Sequence, residues 1–501
     1  MNQSSKILLI FPLLFLMAVL PEIMKAQSTI VNNSVFSGQS VQTFVADYLS
    51  AVNSGNRETM KKFLVKWADK KLIEKIPVET LVTFNLAYFY KSGGLGYDFL
   101  STDSTSENQI KIKLFNRLTR ANVVLEIPVN GKNGLQINGM VSGKIDEKGK
   151  NSSPANVYSD KEIVEKLERC VLQLEKDDEF SGVVLLSKNG YPIFKRAVGK
   201  ANIAYEIPNQ TNTKFNLASV GKIFTGLAIT QLQEQGKLRI DDTIDKYLPE
   251  GWLPSEISAK IQIRHLLTHT SGLGDYFTDI YKQCEIQVFR DLKDYKTLVF
   301  KSQFAFEPGS RFQYSNTGYL LLGVIIESVS EEEYFQYLTN HIITPAGMTN
   351  SGGFDKDRPV KNRATGYTKI WQNEDFIWTD HQGTKILKGC PSGGVYSTAE
   401  DLLLFDIALQ NNKLLSPENT KLLFTGFPEL NASFHSSCFF LSNNSSGQTA
   451  SHQGDGSGVS CQFKKYVSQG YTAIVLSNFS PPSANIVADV IDQLIMQNAG
   501  N

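Results

Sequence analysis

Two strand-like pairs at opposite ends of one long stretch constrain this chain more than any other feature. Residues 182–187 and 191–197 are apolar-rich and joined through Asn189-Gly190, a dipeptide suited to a tight hairpin turn. Residues 458–466 and 471–478 repeat the arrangement near the end of the chain and meet at Ser468-Gln469-Gly470. Between the two pairs the apolar spacing is mostly helical. Strands flanking a helix-rich middle predict one antiparallel sheet built from both termini of the unit, with a helical insertion between them: an α+β architecture. A helix carrying Ile163, Leu167, Val171 and Leu174, with Asp160 as its expected cap, and a closing helix over 484–496 complete the unit.

Five hundred and one residues are material for two or three domains. Residues 145–159 are polar and aperiodic, and mark a boundary. The expected division is a leader over 1–26, a small α+β domain over 27–144, a linker over 145–159 and a main domain over 160–501. In the small domain Phe44, Val45, Tyr48, Leu49 and Val52 follow helical spacing, and a second helix is expected from Asn56. Strands are predicted over 109–115, 123–127 and 135–141, punctuated by Asn130-Gly131 and Asn133-Gly134. This order, with the phrase from Ala46 to Leu64, resembles the nuclear transport factor 2-like (SnoaL-like) cone fold.

Lys6 followed by the apolar run 7–20 reads as a secretory signal, which implies an exported protein, periplasmic or secreted. No other apolar run approaches the roughly 20 residues of a membrane span. Fifty Lys+Arg balance fifty Asp+Glu, so no broad basic surface points to nucleic acid. The five cysteines (Cys170, Cys284, Cys390, Cys438, Cys461) are too sparse for a disulfide framework; a Cys438–Cys461 pair stays open beside the reading in which all five are reduced.

Three short stretches carry chemistry. Ser219-Val220-Gly221-Lys222 opens a helix, placing an amine one turn from a hydroxyl, where burial could lower the amine's pKa and let it act as base. A Ser-x-x-Lys match alone is weak, expected about twice by chance in a chain of this size. Tyr314-Ser315-Asn316 follows Pro308-Gly309, a type II turn signal, and precedes an apolar helix; a phenol there can relay a proton, or Asn316 can simply cap the helix. His452-Gln453-Gly454-Asp455 lies ahead of a strand; Gly454 would let a substrate backbone approach, and the Asp455 N–H could join that of Ser219 as an oxyanion hole. The plain alternative for this piece is a surface loop rich in Gly and Ser. His265 and His269 have metal-like i, i+4 spacing for a helix, but Leu266 stands where a zinc-hydrolase motif needs Glu, so both are expected to be structural.

In this order the three stretches resemble the penicillin-recognising serine hydrolases, the class C β-lactamase and D-alanyl-D-alanine carboxypeptidase-like superfamily. The connecting phrases Phe215-Asn216-Leu217-Ala218, 263–273 and 393–402 add to the likeness, which spans about 181–496. The resemblance implies a β-lactamase/transpeptidase-like fold with a helical subdomain and no cofactor or metal. It also implies Ser219 as nucleophile, Lys222 as its base, Tyr314 in the proton relay, Asn316 orienting Lys222 and substrate, and His452, Gly454 and Asp455 lining the cleft. His-Gln-Gly replaces the Lys-Thr-Gly usual in β-lactamases. A largely neutral histidine puts carboxylate recognition in doubt and shifts the expectation toward peptidase and esterase branches. The expected partner is a small-molecule or peptide substrate, cut at an ester or amide bond; an inactive penicillin-binding-like sensor or scaffold is the alternative. Specificity is expected in the loops 276–290 and 366–388, and the oligomeric state stays open.

Overall fold

The computed structural model describes residues 38–96, 102–106, 108–117, 122–130, 135–145 and 158–496, except 277–288, 301, 373–374, 382–385 and 445–446 within the last span. The leader, nearly all of the linker and Cys284 lie outside these residues. The chain forms two compact units, the second starting at Tyr158. Among the described residues no helix is long and apolar enough to cross a membrane.

The first unit begins with α1 (Gly38–Asn53), α2 (Arg57–Trp67), α3 (Lys70–Lys75) and α4 (Val78–Ser92). The expected face of α1 is buried, with Phe44 and Tyr48 at 5.7 and 5.4 Å from Phe63 and Phe44 edge-on to Trp67 at 5.3 Å. Asn56 caps α2 by accepting the Thr59 N–H, which is why the second helix starts there. An antiparallel sheet follows: β1 (Leu95–Gly96), β2 (Thr102–Ser106), β3 (Gln109–Asn116), β4 (Asn122–Asn130), β5 (Gln136–Ile137) and β6 (Ser142–Ile145). The strand expected over 135–141 is instead two short pieces, β5 beside Val129–Asn130 and β6 beside Val123–Glu126. The break falls opposite Pro128, which has no N–H to give a ladder.

The second unit opens with α5 (Asp160–Lys176), β7 (Gly182–Lys188) and β8 (Tyr191–Val198). Ser159 caps α5 in a reciprocal capping box with Glu162, so Asp160 is not the cap expected from sequence. The Asp160 carboxylate instead accepts bonds from Lys188 at 2.9 Å and from the Tyr471 hydroxyl. The middle is helical: α6 (Lys222–Glu234), α7 (Ile263–Leu267), α8 (Asn316–Ser330), then a hairpin of β9 (Tyr367–Gln372) and β10 (Asp375–Asp380), and α9 (Ala399–Gln410). The chain closes with β11 (Phe440–Asn444), β12 (Gly447–Gly456), β13 (Val459–Tyr466), β14 (Tyr471–Ser477) and α10 (Ser483–Met496).

One six-stranded antiparallel sheet runs β11-β12-β13-β14-β7-β8. The join between the two ends of the unit is β14 on β7, in register from Tyr471↔Lys188 to Ser477↔Gly182. These two central strands are buried almost throughout, since α5 and α10 cover one face of the sheet and α9 packs on the other. Cys438 and Cys461 are free and buried, not paired; the Cys461 thiol donates to the Asn216 carbonyl at 3.2 Å.

Candidate active site

Ser219 stands on a 3-10 turn, Ala218–Gly221, that runs directly into α6 at Lys222. Three residues per turn align positions i and i+3, so the turn itself sets Lys222 over Ser219. The turn is held from outside. Asn216 Oδ1 accepts the Ala218 N–H at 2.8 Å, the Leu217 N–H goes to Val395 O at 2.8 Å, and Ala218, at φ +43°, has its carbonyl bonded by the Gly394 N–H at 3.1 Å. The 393–402 phrase is thereby accounted for: its glycines and Val395 clamp the serine turn, and its Thr398 caps α9.

Lys222 is fully buried, with Nζ 3.1 Å from Ser219 Oγ and 2.8 Å from Asn316 Oδ1 while also donating to the Ser392 carbonyl. Burial lowers its pKa from 10.5 to about 7, against smaller opposing influences from Cys390 and Asp275. A neutral amine has two N–H bonds and one lone pair. The carbonyl of Ser392 and the amide oxygen of Asn316 take the two N–H groups, which leaves the lone pair for the Ser219 hydroxyl. Tyr314 donates its phenol O–H to Ser219 Oγ at 2.9 Å, and burial holds the phenol well above its usual range, so it stays protonated.

Asn316 is not the helix cap. Ser315 caps α8 by accepting the Gly318 N–H at 3.2 Å and donates to Gly274 O, so the Asn316 side chain is released toward Lys222. Gly309 has φ +84°, as the Pro308-Gly309 turn requires. Asp275 escapes sequence reasoning: it accepts the Asn316 Nδ2–H at 2.7 Å and so dictates which end of that amide faces the lysine. No local pattern marks Asp275, since its partner is 41 residues away.

His269 and His265 do not share a helix. α7 ends at Leu267 and His269 has φ +57° beyond it. His265 Nδ1 accepts the Gln262 N–H at 3.2 Å; His269 Nδ1 accepts the Ser315 N–H at 3.1 Å, and its ring stacks on Tyr314 at 4.3 Å. His269 thus braces the loop that carries Tyr314 and Asn316, a second contribution that sequence did not reveal.

The third side of the site is β12. His452–Asp455 belongs to this strand and is not a loop. Pairing with β11 stops at Ser451, and the turn closed by Gly456↔Val459 makes Asp455↔Ser460 a pair without mutual hydrogen bonds. The Asp455 N–H therefore points to the open edge of the strand, where the serine turn packs. A Cβ at Gly454 would lie 2.1 Å from Leu217 O and 3.0 Å from Ser219 N. The glycine admits the protein's own serine turn, not a substrate backbone as expected from sequence. His452 is buried, its Nδ1–H bonded to Gln453 O at 2.9 Å, and burial lowers its pKa to about 3. A cleft of about 400 Å³ opens over Ser219, Tyr314, Phe440, Gln453 and Asp455. Of the two specificity loops, 277–288 and 382–385 lie outside the described residues; the rest of the second is mostly the β9–β10 hairpin.

The buried lysine, the serine it faces and the antiparallel sheet that carries β12 agree with a match to the family model described as Beta-lactamase, over residues 167–495. The chain belongs to the beta-lactamase family. Its second unit has that family's fold, an antiparallel sheet flanked by helices. This family member is 32% identical to penicillin-binding protein 4* of Bacillus subtilis (strain 168) over 319 residues, 61% of this chain and 69% of the relative. It is 28% identical to protein flp of Staphylococcus aureus (strain N315) over 313 residues, 59% of each chain. Among solved structures, a penicillin binding protein from Bacillus halodurans shares 31% identity at TM-score 0.57, over 64% of this chain and 97% of that one. A D-stereospecific amidohydrolase from Streptomyces sp., at 22% identity and TM-score 0.55, covers 65% of this beta-lactamase family chain and 97% of its own length, and shares the fold.

Proposed function

We propose that this protein is a serine hydrolase that cleaves an ester or amide bond, in a small ester or a D-amino-acid peptide, through an acyl-enzyme on Ser219. The observation that carries the proposal is the buried Lys222 Nζ at 3.1 Å from Ser219 Oγ, where desolvation favours the neutral amine. Lys222 takes the hydroxyl proton as Oγ attacks the carbonyl carbon. The N–H groups of Ser219 and Asp455 receive the developing oxyanion at the open edge of β12. Tyr314, a protonated phenol on the same oxygen, passes a proton to the leaving group and is reprotonated from Lys222. The acyl-enzyme is then hydrolysed by water activated by the same amine. Relatives called penicillin-binding proteins and a D-stereospecific amidohydrolase support this substrate range.

For the first unit we propose a nuclear transport factor 2-like cone, supported by its order of helices followed by an antiparallel sheet. The apolar run behind Lys6 supports export as part of this proposal. The test of the hydrolase is turnover of p-nitrophenyl acetate and mass gain with a penicillin, each compared with Ser219→Ala. Turnover and adduct are expected in the parent and absent in the variant. Neither reagent reacting would shift the reading to a non-catalytic sensor.

A further inference from the structure

Three buried histidines, His269, His435 and His452, stand beside the catalytic groups, and the hydrolytic steps use none of them. The His435 ring lies edge-on to His269 at 5.1 Å and to Phe440 at 4.5 Å, and His452 meets the same Phe440 at 5.4 Å. Burial lowers the pKa of His435 to about 4 and of His452 to about 3 and holds His269 well below the usual imidazole range, with Lys222 adding to the effect, so all three are neutral. A neutral imidazole carries one N–H and one lone pair. Nδ1 of His269 accepts the Ser315 N–H at 3.1 Å, which puts the ring proton on Nε2. Nδ1 of His452 donates to the Gln453 carbonyl at 2.9 Å, which leaves the lone pair on Nε2. Among the described residues neither of these Nε2 atoms has a hydrogen-bond partner, and neither nitrogen of His435 has one. Buried polar groups seldom stay unmatched, and here donors and acceptors balance. With His435 in the middle all four are satisfied: His269 Nε2–H to His435, and the His435 N–H to His452 Nε2. A bond from His269 straight to His452 would leave both nitrogens of His435 unmet.

We propose that His435 is a positioning residue that links His269 to His452 in one hydrogen-bonded chain, closed directly or through enclosed water, and so ties the loop carrying Tyr314 and Asn316 to β12. His269 stacks on the relay phenol at 4.3 Å and His452 belongs to the strand that supplies the Asp455 N–H, so the chain holds two sides of the cleft in step. The chain itself does not depend on the hydrolase reading; its effect on rate does.

Imidazole nitrogen NMR of the full chain, assigned with His269→Gln, His435→Gln and His452→Gln, reads the chain without any substrate. His269 should be the Nε2–H tautomer and His452 the Nδ1–H tautomer, and the His269 and His435 N–H protons should resist exchange with solvent. Coupling between nitrogens marks a direct link, and cross-peaks to a slowly exchanging water mark a bridged one. The opposite tautomer at either end, or a His435 N–H that exchanges freely, would overturn the chain.

Turnover of p-nitrophenyl acetate tests the positioning role. His435→Phe keeps a ring to pack on Phe440 and removes both nitrogens, whereas His435→Gln gives up the ring and keeps a donor and an acceptor. His435→Phe should lower kcat about tenfold with little change in KM, and His435→Gln should recover most of the loss. Equal loss in the two variants, a faster phenylalanine variant, or no loss in either would overturn the positioning role and leave the hydrolase standing. A parent chain inactive toward the ester would overturn the hydrolase reading instead, and the nitrogen spectra would still decide the chain.

Discussion

At the residue scale the account turns on the proton of Lys222. Because the neutral amine is the base and burial sets its pKa at about 7, acylation should rise with pH through about 7 and level off above it. A profile flat from pH 5 to 9 would contradict this. Lys222→Met, which keeps the volume and removes the amine, should cut acylation at least about a thousandfold. The same substitution bears on stability. The unfolded lysine titrates near 10.4, so between about 7 and 10.4 the unfolded chain holds a proton that the folded chain lacks, and stability should climb with pH across that window. Lys222→Met should flatten the climb and raise Tm at neutral pH. Asp275→Ala should leave Asn316 free to turn its amide and lower kcat about tenfold to a hundredfold with little change in KM, while Asp275→Asn recovers part of the loss. Ser219 with Lys222, and Tyr314 with Asn316, were legible because each pair forms a short motif and the motifs in this order resemble the penicillin-recognising serine hydrolases, although the two pairs lie more than ninety residues apart. The contacts of Asp275 and His269 with the Tyr314 loop were not, because no short motif ties either residue to that loop, more than forty residues away.

At the scale of elements, the strand β12 shows where sequence patterning stops. Gly447–Gly456 has no apolar alternation, since its edge faces the cleft and its backbone is ordered by the ladder to β13. The apolar strands β7, β8, β13 and β14 and the closing helix were readable because both faces of the central strands are covered. Gly454→Ala should be costly out of proportion to one methyl group. The added carbon would meet the backbone oxygen of Leu217, so either β12 or the serine turn must move, with a loss of about 1–3 kcal/mol in stability and of most acylation. Thermal unfolding beside active-site titration checks both. At the start of α5, Ser159→Ala should cost about 1 kcal/mol, because Ser159 and not Asp160 caps the helix.

At the scale of the whole molecule, the second unit closes only when its two ends meet, since β14 pairs with β7 across nearly the entire unit. Amides of these two central strands should exchange most slowly with solvent, and the short helices around α7 sooner. The consequence for function is that the serine turn, the Tyr314 loop and β12 converge on one cleft from three separated parts of the chain. That convergence is best tested by intact-mass spectrometry of the full chain after incubation with a fluorophosphonate. The account predicts one added phosphonyl group, located on Ser219, absent in Ser219→Ala and formed far more slowly in Lys222→Met. No adduct on the parent protein, or an adduct that survives Ser219→Ala, would contradict it.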